Sequence, residues 1–164
     1  MTIRVRKTLP PDAPVLLRLI IALADYEKLS PPDSEAQQRL VRDLFAERPR
    51  VESMLAEVDG VPVGYTFFFE TYSTFLALPT LFLEDLFVLP EYRGMGAGSA
   101  LFRAMAELAY ARGCGRMEWT VLDWNQPSID FYERYGAKRS SDWLPYRLTR
   151  QELPPVFERA RKQL

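Results

Sequence analysis

At 164 residues, with 48% hydrophobic and 13% aromatic side chains, the chain has the size and apolar content of one domain built on one core. Its 21 basic and 22 acidic residues leave a net charge of -1, so no overall field draws it to nucleic acid or to an anionic membrane. Histidine is absent, which removes Ser-His-Asp and Cys-His catalysis and histidine-ligated metals, and leaves acid-base work to carboxylates, tyrosine, lysine or water.

The first residues, Met1 to Arg4, show neither the apolar segment nor the small-residue cleavage site of a signal peptide. No apolar run approaches the ~18 residues of a membrane span, so a soluble cytoplasmic protein is expected. Leu16, Leu19, Ile20 and Leu23 recur at helical spacing behind Asp12 and Pro14 and predict a first helix. Ser34 with Gln37 reads as a capping box ahead of Leu40, Val41, Leu44 and Phe45, which predicts a second helix over 35–46. Met54, Ala56 and Val58 then alternate, Asp59-Gly60 supplies a hairpin turn, and residues 61–69 are rich in branched and aromatic side chains. Two antiparallel strands follow from that pattern. Residues 73–80 are the expected long loop, and the apolar members of 73–83 suit either core or a partner surface.

Further on, a strand over 81–88 leads into a glycine-rich turn and a helix over 100–112, with another strand expected over 116–122. A short helix over 127–135, stopped by Gly136, precedes a last expected strand over 143–148 and a tail with a turn or two of helix from Gln151. The single cysteine, Cys114, lies in Gly113-Cys114-Gly115 as a small residue in a tight turn and excludes an intrachain disulfide. Strands first antiparallel and then joined through helices predict an α/β (α+β) fold: one domain over 1–164 with a mixed sheet and helices on both faces.

Arg93-Gly94-Met95-Gly96-Ala97-Gly98-Ser99 stands between that strand and that helix. Three glycines at alternate positions let a main chain approach an anion, the helix start offers unpaired N–H groups, and Arg93 adds a fixed charge. No Gly-Lys-Ser/Thr ends the loop, and its G-x-G-x-G spacing is not that of a dinucleotide fingerprint.

Together with Leu83-Glu84-Asp85-Leu86-Phe87-Val88, Asn125-Gln126-Pro127-Ser128 and Phe131-Tyr132, the loop makes the chain resemble the GNAT superfamily of acetyl-CoA-dependent N-acetyltransferases. Within it the chain looks like the diamine (spermidine/spermine) acetyltransferase branch, from about residue 3 to 148 and most densely over 81–136, with 149–164 as a tail. The resemblance implies a mostly antiparallel sheet whose central strand pair splays apart to admit the pantetheine arm of acetyl-CoA. On that pattern Leu86, Phe87 and Val88 would offer backbone bonds to the arm. Arg93, Gly94, Met95, Gly96, Ala97, Gly98 and Ser99 would hold the pyrophosphate, with Asn125, Ser128 and Tyr132 as further contacts. Acetyl-CoA is then the cosubstrate and no metal is expected. The branch also implies a homodimer, a small-molecule amine as partner, and no part for nucleic acid or membrane.

Glu84 and Asp85 interrupt an apolar strand, and simple alternation sends them to opposite faces unless a bulge intervenes. The resemblance places Glu84 at the reacting amine and Tyr132 beside the thioester sulfur as general acid. An ammonium near pKa ~10.4 and a glutamate near ~4.3 differ by about six units, roughly 8 kcal/mol, which favours a water-mediated role for Glu84. Asp85 as a loop-anchoring carboxylate, and Tyr132 as aromatic packing with Phe131 and Tyr135, are the plain alternatives. The family pattern puts Tyr26 and Glu27, and Glu118, Trp119 and Thr120, at the substrate. The segment after Gly136 lacks the acidic cluster expected of polyamine-acetylating members, so a short diamine or lysine-like amine is expected over spermine. A non-catalytic acyl-CoA-binding module and a generic nucleotide-binding domain are the competing readings.

Overall fold

The computed structural model describes residues 1–161. These fall into two compact units that divide after Thr120. The first unit holds β1 (Ile3–Lys7), α1 (Ala13–Glu27), α2 (Ser34–Leu44), β2 (Glu52–Val58), β3 (Val61–Ser73), β4 (Leu78–Val88), α3 (Ala97–Ala111) and β5 (Arg116–Trp119). Its sheet runs in the order β1-β2-β3-β4-β5, antiparallel throughout except for the β4–β5 pair. The second unit holds α4 (Gln126–Arg134) and α5 (Leu153–Arg161).

Helices cover both faces of the sheet, as expected. Leu16 and Leu19 of α1 and Leu44 of α2 bury against Leu55, Tyr65, Phe67 and Phe87. On the opposite face Ala97 and Leu101 of α3 bury against Ala56, Val58, Val63 and Val88. The central strands β2, β3 and β4 thus present apolar residues to two layers, and burial of that area is the main stabilising contribution.

Several elements depart from the sequence reading. β1 was not anticipated, although Ile3 and Val5 alternate with Arg4 and Arg6; five residues at a sheet edge give too short a pattern to stand out. The cap of α2 is Asp33, whose Oδ1 accepts from Ala36 N at 2.8 Å, while Gln37 donates its side-chain amide to Pro32 O at 2.9 Å and forms no capping box with Ser34. In place of a long loop over 73–80 there is a hairpin: Ser73 pairs with Leu78, and Ala77 takes the left-handed conformation at φ 52°. β5 stops at Trp119, and residues 143–148 form no strand. Pro145 removes a ladder donor from the middle of that segment.

Close strand packing is most demanding at Gly64, where an added Cβ would lie 2.6 Å from Phe87 O and 2.9 Å from Val88 Cγ2. Backbone is the nearer obstacle, so the strands themselves must part. Gly64→Ala is expected to destabilise the fold by about 1–3 kcal/mol, read as a lower urea midpoint at unchanged m-value.

Candidate active site

The site begins with one irregularity in β4. Phe67 lies opposite Asp85 and Phe68 opposite Leu83, which leaves Glu84 as an extra residue in the ladder. Alternation restarts at Asp85, so Asp85 and Phe87 share a face with Phe67 and Tyr65, under α1, while Leu86 and Val88 share the other with Thr66 and Gly64. The simple alternation of the sequence reading is corrected accordingly: the bulge groups Glu84 with Leu86 and Val88 no longer.

Tyr65, fully buried, donates its phenol to Asp85 Oδ2 at 3.0 Å. Burial pushes the Asp85 carboxyl up to about 6; the charges of Glu84 and Glu27 push the same way, and the hydrogen bond from Tyr65 opposes them. The same surroundings raise the Tyr65 phenol well above its ordinary range, again chiefly through burial. Glu27, at the end of α1, is raised by burial. Glu84 is exposed beside them. Three carboxylates therefore gather at the C-terminal end of α1, near enough for Glu27 and Glu84 to act on both Asp85 and Tyr65.

Past Leu83 the sheet opens. β4 pairs with β5 only from Thr80 to Leu83 but with β3 as far as Val88, so the far edge of residues 84–88 has no ladder partner among the described residues. The glycine loop follows at once. Gly94 and Gly96 take φ 76° and 96°, and a Cβ at Gly94 would meet nothing within 4 Å. α3 starts behind Gly96 with no side-chain cap. An open strand edge followed by an uncapped helix start and a bare backbone turn fits an extended amide arm ending in a pyrophosphate.

A scan against known families meets this geometry with a match: the acetyltransferase (GNAT) family model covers residues 20–137. The chain belongs to the GNAT acetyltransferase family. It is 37% identical over 144 residues to a thialysine N-epsilon-acetyltransferase of Bos taurus, covering 83% of this chain and 84% of the relative. An L-ornithine N5-acetyltransferase of Arabidopsis thaliana is 40% identical over 116 residues, 70% of this chain and 51% of that one. Among solved structures, an integron cassette protein from the mobile metagenome of V. cholerae superposes with a TM-score of 0.80 at 21% identity, covering 96% and 99% of the two chains, a likeness of fold. Family membership makes this protein an acyltransferase with acetyl-CoA as donor and removes the reading as a generic nucleotide-binding domain.

The acetyltransferase's other expected site residues are placed as follows. Arg93 lays its guanidinium over the Tyr26 ring, 4.4 Å from the centroid, and within 5.7 Å of the Phe87 centroid, while Nε donates to Val88 O at 3.0 Å. Its side chain thus ties the glycine loop to α1. Phe87 is buried core, and Met95 is 40% exposed. Glu118 pairs with Arg116 at 2.9 Å on the surface, and Trp119 stands edge-on to Phe102 of α3 at 5.5 Å, away from the α1 face; Thr120 follows the end of β5. In the second unit Asn125 is buried and caps α4, its Oδ1 accepting from Ser128 N at 3.4 Å. Tyr132 is half-buried on α4 and packs edge-to-face on Phe131 at 5.2 Å.

Tyr65 escaped the sequence reading, since one tyrosine in an apolar strand reads as core. Asp85 was visible but ranked below Glu84, because only the bulge turns it toward Tyr65. Arg93→Met should loosen the joint between α1 and the loop, costing about 1 kcal/mol for an exposed cation-π contact with its hydrogen bond. Hydrogen exchange is expected to quicken at residues 26–29 and 93–96 together, with the β2–β3 amides unchanged.

Proposed function

We propose that this acetyltransferase moves acetyl from acetyl-CoA to the primary amine of a small molecule, a short diamine or a lysine-like amine, by direct attack. The carrying observation is the gathering of Glu27, Glu84 and Asp85 beside the open edge of β4, where a cationic amine would meet the acyl arm. The names of the thialysine and ornithine relatives support the same acceptor class. One acetyltransferase domain over 1–164 is part of the reading, supported by a family match that runs across both units.

In this reading the backbone of Leu86 to Val88 pairs with the pantetheine arm, and the amides from Gly94 to Ser99 hold the pyrophosphate. Acetyl-CoA supplies an activated acetyl thioester. Tyr26, Glu27 and Glu84 hold the amine, while a part for Glu118, Trp119 and Thr120 at the substrate rests on the family pattern alone. Asn125, which caps α4, and Ser128 add cosubstrate contacts, and Tyr132 hydrogen-bonds the departing sulfur. The exposed Tyr72, Phe75 and Leu76 at the β3–β4 hairpin support a homodimer, and no helix among the described residues is long and apolar enough to cross a membrane. A cytoplasmic site of action goes with this reading.

Charge count directs the choice of amine. An ammonium without a counter-charge keeps only solvent-screened attraction of about 1 kcal/mol or less, so the added charges of a long polyamine gain little here. A short diamine or a lysine-like amine is expected to exceed spermine in kcat/KM at fixed acetyl-CoA and ionic strength, and Glu27→Gln should narrow the difference between charged and less charged acceptors. Spermine preferred tenfold would overturn the acceptor assignment.

Tyr132→Phe tests the sulfur end. Turnover is expected to fall about 10²- to 10⁴-fold with acetyl-CoA affinity nearly intact, since only a bond made in the transition state is lost. A change within about threefold would return Tyr132 to packing with Phe131.

A further inference from the structure

Acetylation removes two protons from the nitrogen of an ammonium. One must leave before the lone pair can attack, and the other ends on the sulfur of the thiol product. We propose that Asp85, positioned by Tyr65, is the carboxylate that takes the first proton through water, while the exposed Glu84 and the half-buried Glu27 hold the incoming cation. The inference rests on the amine-acetylating reading above and assigns the proton path within it.

Geometry carries the assignment. The extra residue Glu84 puts Asp85 on the α1 face, two positions past Leu83, the last β4 residue paired with β5. It therefore stands where the two strands part. Tyr65 is fully buried and bonds one carboxylate oxygen, Oδ2, which fixes the group in one orientation and leaves the lone pairs of Oδ1 for a water. Glu84, exposed at the bulge, is better placed to meet a solvated cation than to store a proton.

The chemistry balances without a further reactant. The ammonium gives one proton through water to Asp85, its nitrogen bonds the acetyl carbon, and the carbon–sulfur bond breaks with its electron pair on sulfur. The second nitrogen proton ends on that sulfur, and Asp85 returns its own to solvent. A carboxyl lifted to about 6 by burial is a stronger base than an ordinary aspartate and is still ionised at neutral pH. The groups acting on it are Tyr65 from β3, Glu27 from α1 and Glu84 from its own strand, with the Arg93 guanidinium above the Tyr26 and Phe87 rings nearby.

Those neighbours give the test its signs. Asp85 must be ionised to accept, so kcat/KM rises with pH through its titration. Tyr65→Phe removes a bond that favours the ionised form and should move this acid limb upward by about 1 pH unit, the size of one hydrogen bond to a charged group. Glu84→Gln and Glu27→Gln remove charges that oppose ionisation and should move it downward, even as KM for the amine rises. Asp85→Asn should abolish the limb and lower plateau turnover about 10²- to 10⁴-fold.

The experiment is a pH series of kcat/KM for a short diamine with acetyl-CoA in the parent and these four variants, each checked for folding by circular dichroism. Failure of the parent to acetylate any primary amine would overturn the acceptor reading itself. An active parent whose limb stays put or moves down in Tyr65→Phe, or an Asp85→Asn variant with parental turnover, would overturn the role of Asp85 alone. Should Asp85→Asn not fold, the opposite shifts of Tyr65→Phe and Glu84→Gln decide the matter, because a merely structural aspartate moves neither.

Discussion

One extra residue in β4 sets the geometry of everything around it. A shift of one position in a strand exchanges its two faces, and here the exchange falls at Glu84. Before it, Leu83 lies opposite Phe68 and next to Trp119, whose ring meets Phe102 of α3; after it, Leu86 and Val88 turn to the α3 face and Asp85 and Phe87 to α1. Phe87 thereby reaches the α1 layer and Leu86 and Val88 the α3 layer. The carboxylate pair is left where pairing with β5 ends, so the break in the sheet and the acidic end of α1 arise from the same insertion.

Holding Asp85 there works against stability. Its carboxyl rises from 3.8 to about 6, so the folded chain binds a proton that the unfolded chain releases, and stability falls as pH climbs through that interval. Fully ionised, the group costs about 3 kcal/mol relative to an unperturbed aspartate, a sizeable part of a domain's net stability. That cost is what remains after the Tyr65 hydrogen bond has offset part of the burial, and the phenol is itself buried beside a negative charge. Packing alone would be better served by a leucine at 85, and a polar pair kept at such a cost belongs where chemistry is done.

Much of this was legible in the sequence, unevenly and for physical reasons. The glycine loop, the helices of the first unit, the sheet class and the family all follow from local patterns that the structure and the relatives bear out. The bulge was written in the change of parity between Leu81-Leu83 and Leu86-Val88, but Phe82 and Phe87 are apolar too, so the run looked uniform. β1 was too short to read, and Pro145 outweighed the apolar residues that suggested a strand over 143–148. Arg93 shows the limit of a motif most clearly. Its spacing marks it as a phosphate ligand, and its guanidinium also rests on Tyr26, a contact across 67 positions that no local pattern contains.

The carboxylates near α1 also bear on how a product leaves. With the site empty, Glu27 and Glu84 raise Asp85 by repulsion, and an arriving ammonium relieves it by supplying the missing counter-charge. On the proposed path the amine surrenders a proton to Asp85, so the cluster loses one negative charge at the moment its guest loses its positive one. The two stay matched, and little charge is stranded in the partly desolvated pocket. Once acetyl has moved, the guest is a neutral amide and Asp85 releases its proton to water. Repulsion among the three carboxylates then returns with nothing to offset it, so the attraction that drew in the cation does not retain the amide.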